Sequence, residues 1–226
     1  MTRRQPVATL VRGIGEVLIT LGLVVLLFCY YELSFTGYYA GHQQQRLARQ
    51  FDATPPVVAP GTAAQPVLLT PPLGDALAQI FLPRLGRDSH FIVVEGVGTE
   101  PLKEGPGHLP GSALPGGLGN VVISGHRTTY LAPFNRLDEL QPGDDVVLET
   151  RTAWFTYRVT GAEVVRPTAV EVTLPVPGRP GATPTEHLLT LTTCNPKYSA
   201  STRLVVRGIL SGTLVKGADR RPAALG

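Results

Sequence analysis

Cysteine is nearly missing from this chain, with two in 226 residues, Cys29 and Cys194. Two cysteines cannot build a disulfide framework. Cys29 sits inside an apolar stretch near the N-terminus and Cys194 far from it, so no bridge between them is expected. Charge is scarce as well. Only 16% of residues are charged, the formal net charge is +3, and no Lys/Arg block with interleaved aromatics occurs. That removes the usual grounds for a nucleic-acid partner. No CxxC, HxxxH or HExxH spacing offers a metal site. Neither a glycine-rich phosphate loop opening a helix nor a G-x-S-x-G elbow is present, and no internal repeat is found.

Glycine and proline, by contrast, are abundant, at 25 and 21 residues. With so little charge, this favours a loop-rich β protein over a helical bundle. The length allows one solid domain with accessories. Near the N-terminus, Arg3, Arg4 and Arg12 precede Ile14–Tyr31, an apolar run whose one charge, Glu16, lies near Arg12. As helix the run is about 27 Å long, close to a hydrocarbon core of roughly 30 Å. It exceeds the apolar core of a signal peptide and no A-x-A cleavage site follows. An uncleaved single-pass anchor is expected, with Tyr30, Tyr31, Tyr38 and Tyr39 at the interface. Positive charge ahead of it places the N-terminus in the cytoplasm and the rest outside.

Gly41–Phe51 is polar and could continue as a short helix. Asp52–Pro72 carries six prolines and reads as an extended spacer, able to span roughly 60 Å. From Gly74 onward short β-branched runs bounded by Gly or Pro predict strands over Ala76–Leu82, Phe91–Val97, Asn120–Ser124, Asp145–Glu149, Trp154–Ala162, His187–Thr193 and Leu204–Leu214. Phe134–Leu140 suggests one or two helical turns. About seven strands so spaced predict an all-β, closed or nearly closed barrel.

Cys194 ends the run LTLTTC and is followed by Asn195-Pro196. An ordinary free cysteine, with a pKa near 8.5, needs nearby positive charge to act as a thiolate at neutral pH. The alternative is an inert packing thiol. Among the five histidines, His126 alone follows an apolar strand, VVI with a closing Ser, and a glycine that permits close backbone approach. His90 and His187 start strands as solvent-facing residues, His42 lies beside the membrane, and His108 falls in a Gly/Pro-rich connection. Arg203 and Arg207 share strand parity, but Arg207 lies roughly 13 Å further along. Arg203 is therefore the expected oxyanion donor or substrate clamp. Arg127 and Arg136 read as surface or groove-rim charges.

The run TLTTCNP with Arg203 nine residues after Cys194, preceded by GNVVISGHRTTYLAPFNRLDELQPGD, resembles the sortases, transpeptidases of Gram-positive bacterial surfaces. EGVGTEPLKEGPGHLPGSALPG is similar to the class E members of actinobacteria. The resemblance covers roughly Ala76 to Leu214. It implies an eight-stranded sortase-like β-barrel with short helices after one transmembrane helix. The matching plan is a cytoplasmic tail (1–13), anchor (14–31), proline-rich extracellular spacer (32–73), catalytic barrel (74–216) and C-terminal tail (217–226).

By resemblance, Cys194, His126 and Arg203 are catalytic, and Leu109, Thr192, Thr193 and Asn195 meet the substrate. The implied substrate is a surface protein with an LAxTG- or LPxTG-like signal cut between Thr and Gly. The acceptor is a peptidoglycan precursor amine. No metal or organic cofactor is implied. Leu109 stands where class E members commonly have Tyr, a residue associated with the alanine-containing signal. Arg166–Glu186 falls where sortases place a substrate-contacting loop. An L,D-transpeptidase does not fit, because its Arg lies beside its Cys, and NlpC/P60 peptidases have the opposite Cys–His order. A pilin-polymerising sortase and a membrane-tethered peptide-binding scaffold without catalysis are the alternatives.

Overall fold

In the computed structural model, residues 5–53, 70–216 and 221–226 are described. Arg3, Arg4, most of the proline-rich stretch (54–69) and residues 217–220 of the expected tail lie outside them. The first element is α1 (Gln5–Ala53), long and apolar enough to cross a membrane. Glu16, the charge within its apolar run, meets Arg12 Nε at 2.9 Å, one helical turn away. Such a pair softens the cost of a carboxylate near a bilayer's edge.

Eight strands follow: β1 (Ala76–Phe81), β2 (His90–Glu95), β3 (Gly107–His108), β4 (Gly119–Ser124), β5 (Asp145–Glu149), β6 (Ala153–Val165), β7 (His187–Asn195) and β8 (Thr202–Val215). A short helix, α2 (Thr99–Glu104), leads into β3. The strands close into a barrel in the order β1-β2-β3-β4-β7-β8-β6-β5, an arrangement that removes most exposed strand edge. The seven strands expected from sequence are all present. The eighth, β3, has two residues in a glycine-rich segment, too short to produce any periodicity. Where a helix was expected near Phe134–Leu140, a single 3-10 turn forms at Leu137–Glu139.

Side-chain alternation fills the barrel. Val121 and Ile123 of β4, Leu189 and Leu191 of β7, and Leu204 and Val206 of β8 enter one interior cluster with Tyr157 and Phe134. In β2, Phe91 and Val93 join that cluster, whereas Ile92 and Val94 face outward. Their outward partner is the second half of α1. Leu47 and Phe51 are buried against Ala76, Ile92 and Val94. This explains why β2 is apolar on both faces.

Gly41–Phe51 is thus helical, but as part of α1 and seated on the barrel. Gln44 seals the contact where β2 extends beyond its two-residue pairing with β3. Its side-chain amide accepts from Ile92 N at 2.7 Å and donates to Ile92 O at 3.0 Å and Glu104 O at 2.8 Å. An amide side chain stands there in place of a neighbouring strand.

Candidate active site

Strand register brings the chemistry together. β4 and β7 run parallel with Ser124 beside Thr192. Two residues further on, their ends carry His126 and Cys194. β7 and β8 run antiparallel with Cys194 directly opposite Arg203. Leu189, Leu191, Leu204 and Val206 point inward, so alternation turns Thr192, Cys194 and Arg203 to the outer face. There His126, Cys194 and Arg203 line one groove of about 300 Å³. A strand-end cysteine, a histidine and an arginine thus share one groove.

The remaining lining comes from chain outside the observed strands. Val97 and Leu102 belong to the connection between β2 and β3, and Arg166, Pro167, Val170 and Thr173 to the chain after β6. The second group belongs to the loop whose substrate-contacting role the resemblance raised. Asn120 anchors it: the Asn120 amide donates to Val172 O at 3.2 Å and Leu174 O at 3.1 Å and accepts from Thr190 Oγ1 at 2.8 Å. A buried amide satisfied on three sides holds the loop against the β4–β7 face.

Thr192 and Thr193 also line the groove, and Thr193 Oγ1 donates to Gly125 O at 2.7 Å, tying β7 to the residue before His126. Leu109 and Asn195 are not among the lining residues. Leu109 sits half-buried just after β3, its N–H on Val122 O. Asn195 bonds behind the groove. His108 is fully buried, with its ring nitrogens on Glu95 Oε2 at 2.7 Å, Ser112 Oγ at 2.9 Å and Ala113 O at 3.0 Å. It is a structural residue of the barrel wall.

His126 is packed closely. A Cβ on Gly125 would come within 2.7 Å of the Phe134 ring, so only glycine lets the core phenylalanine sit against this backbone. Phe134 N donates to His126 O at 3.1 Å, and the Tyr130 ring lies 5.1 Å from the imidazole, centroid to centroid. Tyr130, Leu131 and Ala132 all take positive φ as the chain turns back. Burial holds the imidazole below its ordinary 6.5, because the charged ring loses solvation.

The native state therefore binds fewer protons than the unfolded chain, and His126 lowers stability as pH falls below about 6.5. Above that value the contribution is fully present. Replacing His126 by Gln should flatten the drop in melting temperature between about pH 7 and pH 5. An unchanged drop would show that other groups govern acid sensitivity.

Arg203 Nη1 donates to Ala200 O at 2.9 Å and Thr202 O at 3.0 Å, which braces the β7–β8 loop. Arg136 is half-exposed, as expected of a surface charge. Arg127 is different: the expected surface or rim charge is only 5% exposed. It lies behind Cys194, with Nη1 3.3 Å from Cys194 O and 2.6 Å from Asn195 Oδ1, and Nη2 3.0 Å from Asp138 Oδ1. Charged residues read as surface because burial without partners is costly. These partners come from remote elements that only folding assembles.

Known proteins share this architecture. The sortase domain family matches residues 80–211. Sortase SrtE1 of Streptomyces coelicolor is 31% identical over 99% of this chain, which spans 62% of that protein's length. A solved structure of Sortase E1 from Streptomyces coelicolor, with a tripeptide in the active site, superimposes with a TM-score of 0.62 at 31% identity, covering 68% of this chain and 98% of that one. Sortase E from Streptomyces avermitilis is 43% identical over 68% of this chain and 99% of its own, with a TM-score of 0.62. SrtF sortase from Corynebacterium diphtheriae reaches 0.67 at 32% identity, covering 75% and 98%. A family match over more than half of its length means that this chain belongs to the sortases, a family of cysteine transpeptidases, and its relatives make it class E-like.

Proposed function

We propose that this protein is a membrane-anchored cysteine transpeptidase that cuts a sorting signal between Thr and Gly and joins the protein so released to a cell-wall amine. The observation that carries the reading is the convergence of Cys194, His126 and Arg203 on one groove at the ends of three adjacent strands. The Cys194 thiolate attacks the threonine carbonyl carbon, and the carbonyl electrons move onto oxygen. Arg203 lies across from the thiol, where its guanidinium stabilises that oxyanion or grips the substrate backbone. On collapse, the C–N bond to glycine breaks and His126 as imidazolium protonates the departing amine. A thioacyl enzyme remains. An incoming amine gives a proton to neutral His126, attacks the thioester and restores the thiolate.

The substrate class is a surface protein bearing an LAxTG- or LPxTG-like signal, and the acceptor a peptidoglycan precursor amine. A tripeptide occupies the active site of the Streptomyces coelicolor relative, which suits a groove built for extended peptide. With its N-terminus cytoplasmic and α1 across the bilayer, the protein would present its barrel to the cell wall.

Full-length protein in detergent, supplied with LAxTG and LPxTG peptides and excess glycine-based amine, should give an amine adduct detected by mass spectrometry. Cys194→Ala should abolish both cleavage and adduct. Cleavage that persists in the variant, or no cleavage of either peptide by folded protein, would refute the reading.

A further inference from the structure

Behind the groove lies a hydrogen-bonded relay whose members are the chain neighbours of the three candidate catalytic residues. Arg127 follows His126, Asn195 follows Cys194, and Thr202 precedes Arg203. Arg127 Nη1 donates to Asn195 Oδ1 at 2.6 Å. Asn195 Nδ2 donates to Thr202 Oγ1 at 3.0 Å, and Thr202 Oγ1 donates to Asn195 O at 2.9 Å. The same guanidinium reaches Cys194 O at 3.3 Å. Asp138 Oδ1 holds its other end at 3.0 Å, and Asn135 Nδ2 donates to Arg127 O at 2.8 Å.

We propose that Arg127, Asn195 and Thr202 form a positioning relay that sets the mutual orientation of Cys194, His126 and Arg203. The proposal rests on the reading that those three perform the chemistry. Successive strand residues point to opposite faces. Asn195 thus works on the side opposite Cys194, and Arg127 spans from the segment after β4 to the end of β7. Sheet hydrogen bonds hold β7 to β8 up to Asn195 and Thr202, but the β4–β7 ladder stops at Ser124 and Thr192. Gly125 is the last residue whose backbone bonds to β7, its N–H donating to Thr192 O and its O accepting from Thr193 Oγ1. His126 lies beyond that ladder. The bonds made by Arg127 therefore link the histidine-bearing segment to the cysteine where sheet pairing has ended.

The chemistry of Arg127 points the same way. Its Nε is buried without a partner among the described residues, and a guanidinium almost wholly removed from water is costly there. An apolar side chain of similar length would fill the space without that cost. What it could not do is bridge Asp138, Asn195 and the Cys194 carbonyl at once. A planar, multi-donor group suits that geometry.

The test uses full-length protein carrying Cys29→Ser, so that Cys194 is the one thiol. Arg127→Met, Asn195→Ala, Thr202→Val and the Arg127→Met/Thr202→Val pair are compared. Three quantities are measured: melting temperature, the pH profile of Cys194 alkylation by iodoacetamide, and kcat and KM for peptide cleavage. The groups that line the groove with the thiol, His126, Arg166 and Arg203, are left intact. Folded Arg127→Met should lose about 10²-fold in kcat with KM little changed, as misplacement of catalytic groups does. Its alkylation profile should move along the pH axis.

Because the relay is shared, the double variant should lose little more than Arg127→Met alone. A folded Arg127→Met with wild-type kcat and alkylation profile would overturn the proposal. So would losses in the two single variants that simply multiply in the pair. If Arg127→Met does not fold, Asn195→Ala decides by the same criteria. Alkylation needs no peptide, so failure of the unmodified protein to cleave would count against the proposed function while the relay is still tested on the thiol.

Discussion

A chain that begins at Gly74, lacking α1, should melt well below one that begins at Tyr39. The interface that this truncation removes is well packed. Ala40, Leu47 and Phe51 are 1%, 0% and 4% exposed, and Leu47 and Phe51 cover Ala76, Ile92 and Val94 on the outside of β1 and β2. Fully burying a side chain such as Leu or Phe is worth about 1.5–3 kcal/mol, so this pair contributes roughly 3–6 kcal/mol. A domain's whole stability is about 5–15 kcal/mol. At about 2–4 °C per kcal/mol for a chain of this size, the expected drop is on the order of 10–20 °C.

Gln44 adds to the effect. Without it, Ile92 N and O exchange the amide that now pairs with them for water, at about 0.5–1.5 kcal/mol for each hydrogen bond lost. The barrel would also expose an apolar strip on β2, a feature that promotes aggregation. Thermal unfolding of the two chains side by side checks this. Equal midpoints would mean that the helix merely leans on a self-sufficient barrel. Leu47→Ala in the longer chain is the finer probe, with an expected cost of about 2–5 kcal/mol.

Arg203→Ala should lower kcat by about 10²–10³-fold, the usual effect of removing a preorganised donor from a developing oxyanion. Arg203 faces the groove directly across from Cys194. Its loop bonds among the described residues both use Nη1, and Nε and Nη2 are the donors expected to meet a substrate. Arg203→Lys should recover little, since a point charge on a flexible stem cannot reproduce the planar fork. Arg207→Ala is the control. Arg207 has the same strand parity but pairs with Glu163 on β6 and is not part of this groove. Its loss should leave kcat within about threefold, as for surface ion pairs generally. Equal losses at 203 and 207 in single-turnover cleavage would remove Arg203 from the chemistry.

Much of the site can be read from sequence because strand ends are conspicuous. VVISGH and LTLTTC are strand-like runs that stop at a residue with useful chemistry, and both prove to be strands, with Cys194 next to the last residue of β7 and His126 two residues past the end of β4. Asp145–Glu149 matches the expected span, and the other strands differ by a few residues at their ends, where pairing partners rather than local preference decide. Arg127 is a different case. Its position beside His126 is visible in the sequence, but a single Arg carries no sign of whether carboxylates and carbonyls will surround it. Glu95 and His108 are equally unreadable as a pair, being 13 residues apart and joined only through β2–β3 pairing.

By itself, the sequence determined the class of the fold and the apolar N-terminal helix, and it nominated three residues for the chemistry, because each depends on local pattern: period, run length and what terminates a run. Only the tertiary structure decided how α1 meets the barrel, which loop walls the groove and what lies behind the thiol. Those depend on contacts between segments tens of residues apart. The preference of an outward-facing isoleucine for a helix, or of a buried guanidinium for an amide and a carboxylate, appears only once the chain has closed on itself.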